Sequence, residues 1–317
     1  MNAHNHDHPH HDHDHHGHDH GHGHHHGHHH HASPDDPRYV LGIGLNLAIV
    51  AVQVAAGIYA NSTALLADAG HNLSDVLGLV LAGGAAWLAR RPARGRRTYG
   101  YGKATVLAAL SNSLVLMLVS GGLIWEAAQR LWRPEPIQPT IVMAAGAIAV
   151  VVNILTALMF VRGAKEDANV RGVFLHMAGD AAVSLGVIVA AAVVAVTGWF
   201  WLDPLVSVGI VVVIVVGTWG LLRESMNLAM DAAPAGADVP AIEAFLAGCP
   251  GVTEVHDLHV WAMSTTDVAL TAHLVRPGHD GEDGFRGMLA HALENRFGVR
   301  HATLQIEQTR GEHCPEC

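Results

Sequence analysis

Two short patterns in this 317-residue chain could bind a divalent metal. One is His71-Asn72-Leu73-Ser74-Asp75, and the other is His176-Met177-Ala178-Gly179-Asp180. Each reads His-x-x-x-Asp inside a long apolar run. On an α-helix a spacing of four puts both side chains on one face. Ionisable groups at membrane depth are costly and mark ion or proton paths. Imidazole nitrogen and carboxylate oxygen both suit zinc, and two of each complete a four-coordinate site. Either pattern alone could be a hydrogen-bonded pair that helps helices pack, but the duplication favours a shared metal site. Ligating His must be neutral and Asp ionised, so protons and metal compete for the same lone pairs. An ordinary imidazole pKa near ~6.5 makes that competition accessible around neutral pH. Asp68 lies one turn before His71. It is a candidate gating or proton-relay group on the same face, or else a helix-start residue near the interface.

A second set of metal-ligating types lies toward the C-terminus: His256, His259, His273, His301, Glu307, Cys314 and Cys317. Alternation along an extended strand places His301 and Glu307 on one face, with Leu304 and Ile306 on the other. His256 and His273 share a face only for some hairpin registers. A two-residue turn at Thr265-Thr266 would make them diagonal neighbours, and His259 is the rival. Cys314-Pro315-Glu316-Cys317 reads as a metal-ligating or redox pair rather than a structural bridge. Residues 1–31 hold 18 of the 27 His, interspersed with Gly and Asp. Such a tract cannot bury a core, so disorder is expected over residues 1–37, with a weak multivalent metal buffer as its role.

The elements that would carry the first set are membrane spans. Six apolar stretches cover about 39–60, 64–89, 104–131, 139–162, 172–197 and 200–222, each near the ~20 residues a spanning helix needs. The connection between spans 2 and 3 holds Arg90, Arg91, Arg94, Arg96, Arg97 and Lys103, and the next even one adds Arg162, Lys165 and Arg171. The odd connections are poorer in basic residues. The positive-inside rule therefore puts both termini in the cytoplasm. From about residue 226 to 317 the composition changes. A short helix at 240–248, strands at 252–262 and 267–275, a helix at 282–297 and a strand at 301–308 form a small α+β domain. It is short enough to lean on a dimer partner. Residues 38–225 are thus the membrane domain.

Composition agrees. The chain is 50% hydrophobic and 15% charged, with a mean hydropathy of +0.26 and a formal net charge of -10. Nothing in that balance points to nucleic acid, and three Cys give no disulfide framework. A zinc hydrolase would need an open coordination position beside a general base, and no HExxH occurs, so no enzyme is expected. A membrane-anchored metal sensor or buffer is the competing class. High Ala, Gly and Val content suggests a bacterial inner membrane.

These residues resemble the cation diffusion facilitator family of zinc-type, proton-coupled exporters. The segment Ala64–Asp75 is similar to the family's second-span motif, Tyr99-Gly100-Tyr101-Gly102-Lys103 to the entry of the third span, and His176–Asp180 to the fifth-span motif. Val255–Trp261 and His301–Glu307 resemble its C-terminal signatures. The resemblance implies a transport site of His71, Asp75, His176 and Asp180, with zinc preferred over cadmium or manganese. It also implies a ferredoxin-like, dimerising C-terminal domain. That domain would hold regulatory zinc through His256, His273, His301 and Glu307, with Cys314 and Cys317 as a terminal pair. Co2+ or Ni2+ export is the nearest variant.

Overall fold

The computed structural model describes residues 37–161, 168–278 and 283–310. The His-rich tract and the Cys314/Cys317 pair lie outside the described residues. Six long helices come first: α1 (Pro37–Ala60), α2 (Thr63–Ala89), α3 (Lys103–Trp132), α4 (Pro139–Phe160), α5 (Ala168–Thr197) and α6 (Leu202–Ala229). All six contain stretches long and apolar enough to cross a membrane. Large side chains such as Leu118, Val196 and Val213 point outward. In water that would be a liability, whereas in lipid it is the favoured arrangement, because hydrocarbon does not penalise exposed apolar surface.

Much of what the helices bury is small or polar. Along α3 the buried residues are Val106, Ser113, Ser120 and Ala127, one in every seven. That period draws a single narrow seam along a helix. Small residues on such a seam let backbones approach closely where no hydrophobic effect drives association. α3 runs beside α6, which buries Ser207, Val211, Ile214, Thr218 and Ser225. α4 pairs with α5 over a comparable length. α6 outruns its apolar stretch: hydrophobic patterning ends near Leu222, yet the helix continues to Ala229 because Ser225 and Leu228 remain buried.

The C-terminal region follows the α-β-β-α-β order expected from its pattern. It comprises α7 (Val239–Ala247), β1 (Glu254–Ala262), β2 (Val268–Val275), α8 (Asp283–Phe297) and β3 (Val299–Glu307). The sheet order is β1-β2-β3, with β1 antiparallel and β3 parallel to β2. Ile242, Leu246, Leu270, Leu274, Leu289 and Leu293 form the core between one sheet face and the helices. Cys249 sits against this core, where burial pushes its thiol up, so it is not placed as a ligand. The hairpin loop is longer than a two-residue turn. Met263 N donates to Asp267 O, and the Ser264 hydroxyl accepts from the backbone N–H groups of Thr266 and Asp267.

The two parts touch at one end of the bundle. Lys103 Nζ donates to Leu228 O and to Asp231 Oδ1, while Thr265 N donates to Thr105 Oγ1. Val106, Leu228 and Ala262 close a small apolar contact beneath the hairpin tip.

Candidate metal centre

The two His-x-x-x-Asp patterns lie on α2 and α5, and the fold turns them toward each other. Each helix supplies one imidazole and one carboxylate, and the close approaches run across the gap. His71 Nε2 lies 3.3 Å from Asp180 Oδ1, and His176 Nε2 lies 3.3 Å from Asp75 Oδ2. Within each helix the separations are 4.0 Å for His71–Asp75 and 3.8 Å for His176–Asp180. The ring centroids are 6.0 Å apart, with planes at 78°. Single ligand atoms of His71, Asp75 and Asp180 all lie within 4.8 Å of one another. Asp180 is 2% exposed and His176 44%, so the group has a closed floor and an open side. Asp75 Oδ2 and Asp180 Oδ2 are buried, and the imidazole nitrogens beside them, 3.3 and 3.8 Å away, make no well-aligned hydrogen bond to them. A buried carboxylate oxygen without a donor is costly, and a cation is the partner that this donor set suits.

Asp68 is fully buried, well inside α2 rather than at its start. Its Oδ2 accepts from Gln53 Nε2 of α1 at 2.6 Å and from the Ser184 hydroxyl of α5 at 2.7 Å. Asn72 Nδ2 donates to Gln53 Oε1 at 3.0 Å. Three helices are therefore tied one turn from His71. Gln53 is an interhelical hydrogen-bonding group, as its place in span 1 suggests. Ser184 was not singled out from the sequence, although its position one turn after Asp180 marks the same face.

Asp203 stands buried in the first turn of α6. It caps a different helix. Its Oδ2 accepts from Thr63 N at 2.7 Å and Thr63 Oγ1 at 2.8 Å, and its Oδ1 accepts from the Ser62 hydroxyl at 2.5 Å. The N–H groups of Thr63 and Ala64 at the start of α2 thus donate to a carboxylate from α6, which also complements the helix dipole, while Leu65 N donates to the Ser62 hydroxyl.

A second cluster stands on the sheet face away from α7 and α8. Glu307 Oε2 lies 3.2 Å from His256 Nε2, and Glu307 Oε1 lies 3.0 Å from His273 Nδ1. A β-bulge makes this possible. From Ala262↔Val268 to His259↔Thr271 the register is regular, and its continuation would pair His256 with Leu274 on the core side. Instead His256 pairs with His273. The extra residue is taken up around Asp257, whose φ of 50° is one that Asp tolerates better than most residues. Burial pushes the Glu307 carboxyl up. Hydrogen bonds from Gln305 and His256, and the nearby imidazoles, outweigh this and hold it below the ordinary glutamate range.

One expected member, His301, and the rival His259 are not brought to this cluster within the subunit. His259 is exposed and pairs with Asp257 at 2.8 Å. His301 shares the face of Glu307, but six residues along a strand is about 20 Å. Its ring instead meets Tyr99 edge-on at 5.6 Å.

Family comparison agrees with this architecture. Residues 39–228 match the cation efflux transmembrane domain, and residues 234–309 match the cytoplasmic domain of cation efflux proteins. The chain belongs to the cation diffusion facilitator family. Zinc transporter ZitB of Escherichia coli is 34% identical over 283 residues, covering 88% of this chain and 90% of that protein. Cation efflux system protein CzcD of an Alcaligenes species is 32% identical, covering 84% and 85%. A cadmium, cobalt and zinc/H(+)-K(+) antiporter of Bacillus subtilis is 33% identical, covering 83% and 86%. The chain is an integral membrane protein of cation efflux, a transporter rather than an enzyme.

Proposed function

We propose that this protein exports Zn2+ from the cytoplasm in exchange for protons, through a site made by His71, Asp75, His176 and Asp180. The observation that supports the reading best is the reciprocal pairing of imidazole and carboxylate across α2 and α5, around two buried carboxylate oxygens. Neutral imidazoles and ionised carboxylates bind the ion. Protons arriving from the opposite side occupy the same lone pairs and release it. The zinc-transporter names of relatives such as ZitB support the choice of ion, and the antiporter name of the Bacillus relative supports the exchange.

The same reading places both termini in the cytoplasm of a bacterial inner membrane, following the Arg-rich connection between α2 and α3. The chain divides into a His-rich tail over 1–37, a membrane domain over 38–225 and a cytosolic, dimerising domain over 226–317. His256, His273 and Glu307 would hold a resident zinc, because their ligand atoms gather within 4.8 Å and His256 Nδ1 is buried without a hydrogen bond. His301 would have to serve from another subunit. Cys314 and Cys317, with the tail, would supply ions to the entrance.

Zinc flux in proteoliposomes tests the proposal. Uptake should follow an imposed pH gradient and fall to background in Asp180→Asn. Uptake indifferent to the gradient would remove proton exchange. Binding without flux would favour a membrane-anchored sensor.

A further inference from the structure

The connection between α2 and α3 carries five arginines that the fold leaves without counter-charge. Arg90, Arg91, Arg94, Arg96 and Arg97 are all exposed. None forms an ion pair with a carboxylate among the described residues. Lys103, at the end of the same connection, is by contrast spent on Asp231. No Asp or Glu occurs from residue 76 to 125, so the connection's own charges are all positive.

The segment is folded rather than loose. Arg97 N donates to Arg94 O, and Gly100 N donates to Arg97 O. Gly95 and Gly100 adopt φ of 55° and 73°, which a side chain would oppose. Two arginines lie against aromatic rings: Arg91 Cζ is 4.1 Å from the Trp87 ring centroid, and Arg97 Cζ is 4.7 Å from that of Tyr101. A guanidinium held against a ring keeps in-plane N–H donors for a second partner, and its fork matches a phosphate. Trp87 is 59% exposed in the last turn of α2, the level where amphipathic aromatic rings meet headgroups.

We propose that this arginine connection is a binding surface for the phosphodiester headgroups of anionic phospholipids. Position selects a lipid over a soluble anion, because the turn begins directly after the apolar span Thr63–Ala89. The arrangement also answers an electrostatic problem. The connection lies on the side where the C-terminal domain docks, since Tyr99 meets His301 and Thr105 bonds Thr265. A dication approaching that side would be repelled by five bare arginines, and headgroup phosphates cancel the repulsion.

The test uses the full chain reconstituted in phosphatidylcholine with trace spin-labelled lipid. The fraction of label immobilised at the protein is compared for phosphatidylglycerol and phosphatidylcholine. The natural chain should prefer phosphatidylglycerol by about tenfold, and each neutralised arginine should remove up to about fivefold of that. The triple variant Arg90→Gln/Arg94→Gln/Arg96→Gln should therefore lose most of the preference, and the matching lysine variant should keep it. Equal immobilisation of both lipids, or an unchanged preference in the glutamine variant, overturns the proposal. So does abolition of the preference by millimolar glycerol phosphate, which would indicate a soluble anion. A preference that appears only after residues 1–31 are removed would name the Asp-containing tail as the occupant, and that also defeats it. Lipid immobilisation does not depend on which ion is carried, so failure here is separable from failure of zinc export.

Discussion

The intramembrane quartet and the cytosolic cluster use the same donor types on different scaffolds. In the membrane, two helices each supply one imidazole and one carboxylate, and the close contacts run between helices. In the cytosolic domain, neighbouring strands of one sheet supply two imidazoles and one carboxylate. The charge count differs accordingly. Two carboxylates balance a dication, and they equally balance two protons, so the quartet can trade one for the other without leaving net charge at membrane depth, where it is costly. A single Glu307 leaves a dication undercompensated, which water tolerates at a domain surface. The first arrangement suits exchange, and the second suits retention.

The largest break of this contrast should come from a quartet carboxylate. Asp75→Asn or Asp180→Asn should lower zinc flux in proteoliposomes on the order of a hundredfold or more, while the melting temperature in detergent stays close to that of the natural chain. Retention of flux within a fewfold would remove the quartet from the transport path. Next is the clasp that seats the α2 half of the site. Asp203→Ala leaves several buried donors at the start of α2 unpaired and should cost about 2 kcal/mol of stability. Denaturation in detergent reads this, and zinc affinity of the cytosolic cluster should not change.

A smaller effect sharpens the contrast from the other side. Glu307→Gln should weaken zinc binding at the cytosolic cluster about tenfold by calorimetry on the full chain, yet leave flux at saturating zinc within about threefold. A matching loss of flux would make the two sites one machine. The smallest effect is in acid. Glu307 is held below the ordinary glutamate pKa of about 4.3. Its contribution to folding is therefore full above that ordinary value and fades as pH falls through the lower, folded value. A pair this near the domain surface, with Glu307 14% exposed, is worth under about 1 kcal/mol. The natural chain and Glu307→Gln should thus differ in stability near neutrality and converge in strong acid.

The helical site was legible because a spacing of four is fixed by local geometry. Once spans 2 and 5 are helices, His71 must share a face with Asp75, and His176 with Asp180. The six spans were legible for a similar reason, since length and apolarity suffice. The sheet cluster was not legible to the same depth. Which of His256 and His259 faces His273 depends on one extra residue near Asp257, and a shift of one residue moves a side chain to the other face of the sheet. No spacing announces a bulge. Asp203 was hidden differently: its partners Ser62 and Thr63 are about 140 residues earlier in the chain, and a cap supplied by another helix leaves no local signature.

The bundle is held together unevenly. α3 lies along α6, and α4 along α5, for most of their lengths, whereas α2 and α5 meet only over a short stretch. The quartet sits on that short join. On the proposed reading, an ion gripped from both sides there would be a rivet as well as a passenger, and its departure would free the two pairs to shear. Amide hydrogens on α2 and α5 around the quartet should then exchange faster without metal than with it, while those along α3 and α6 keep their pace.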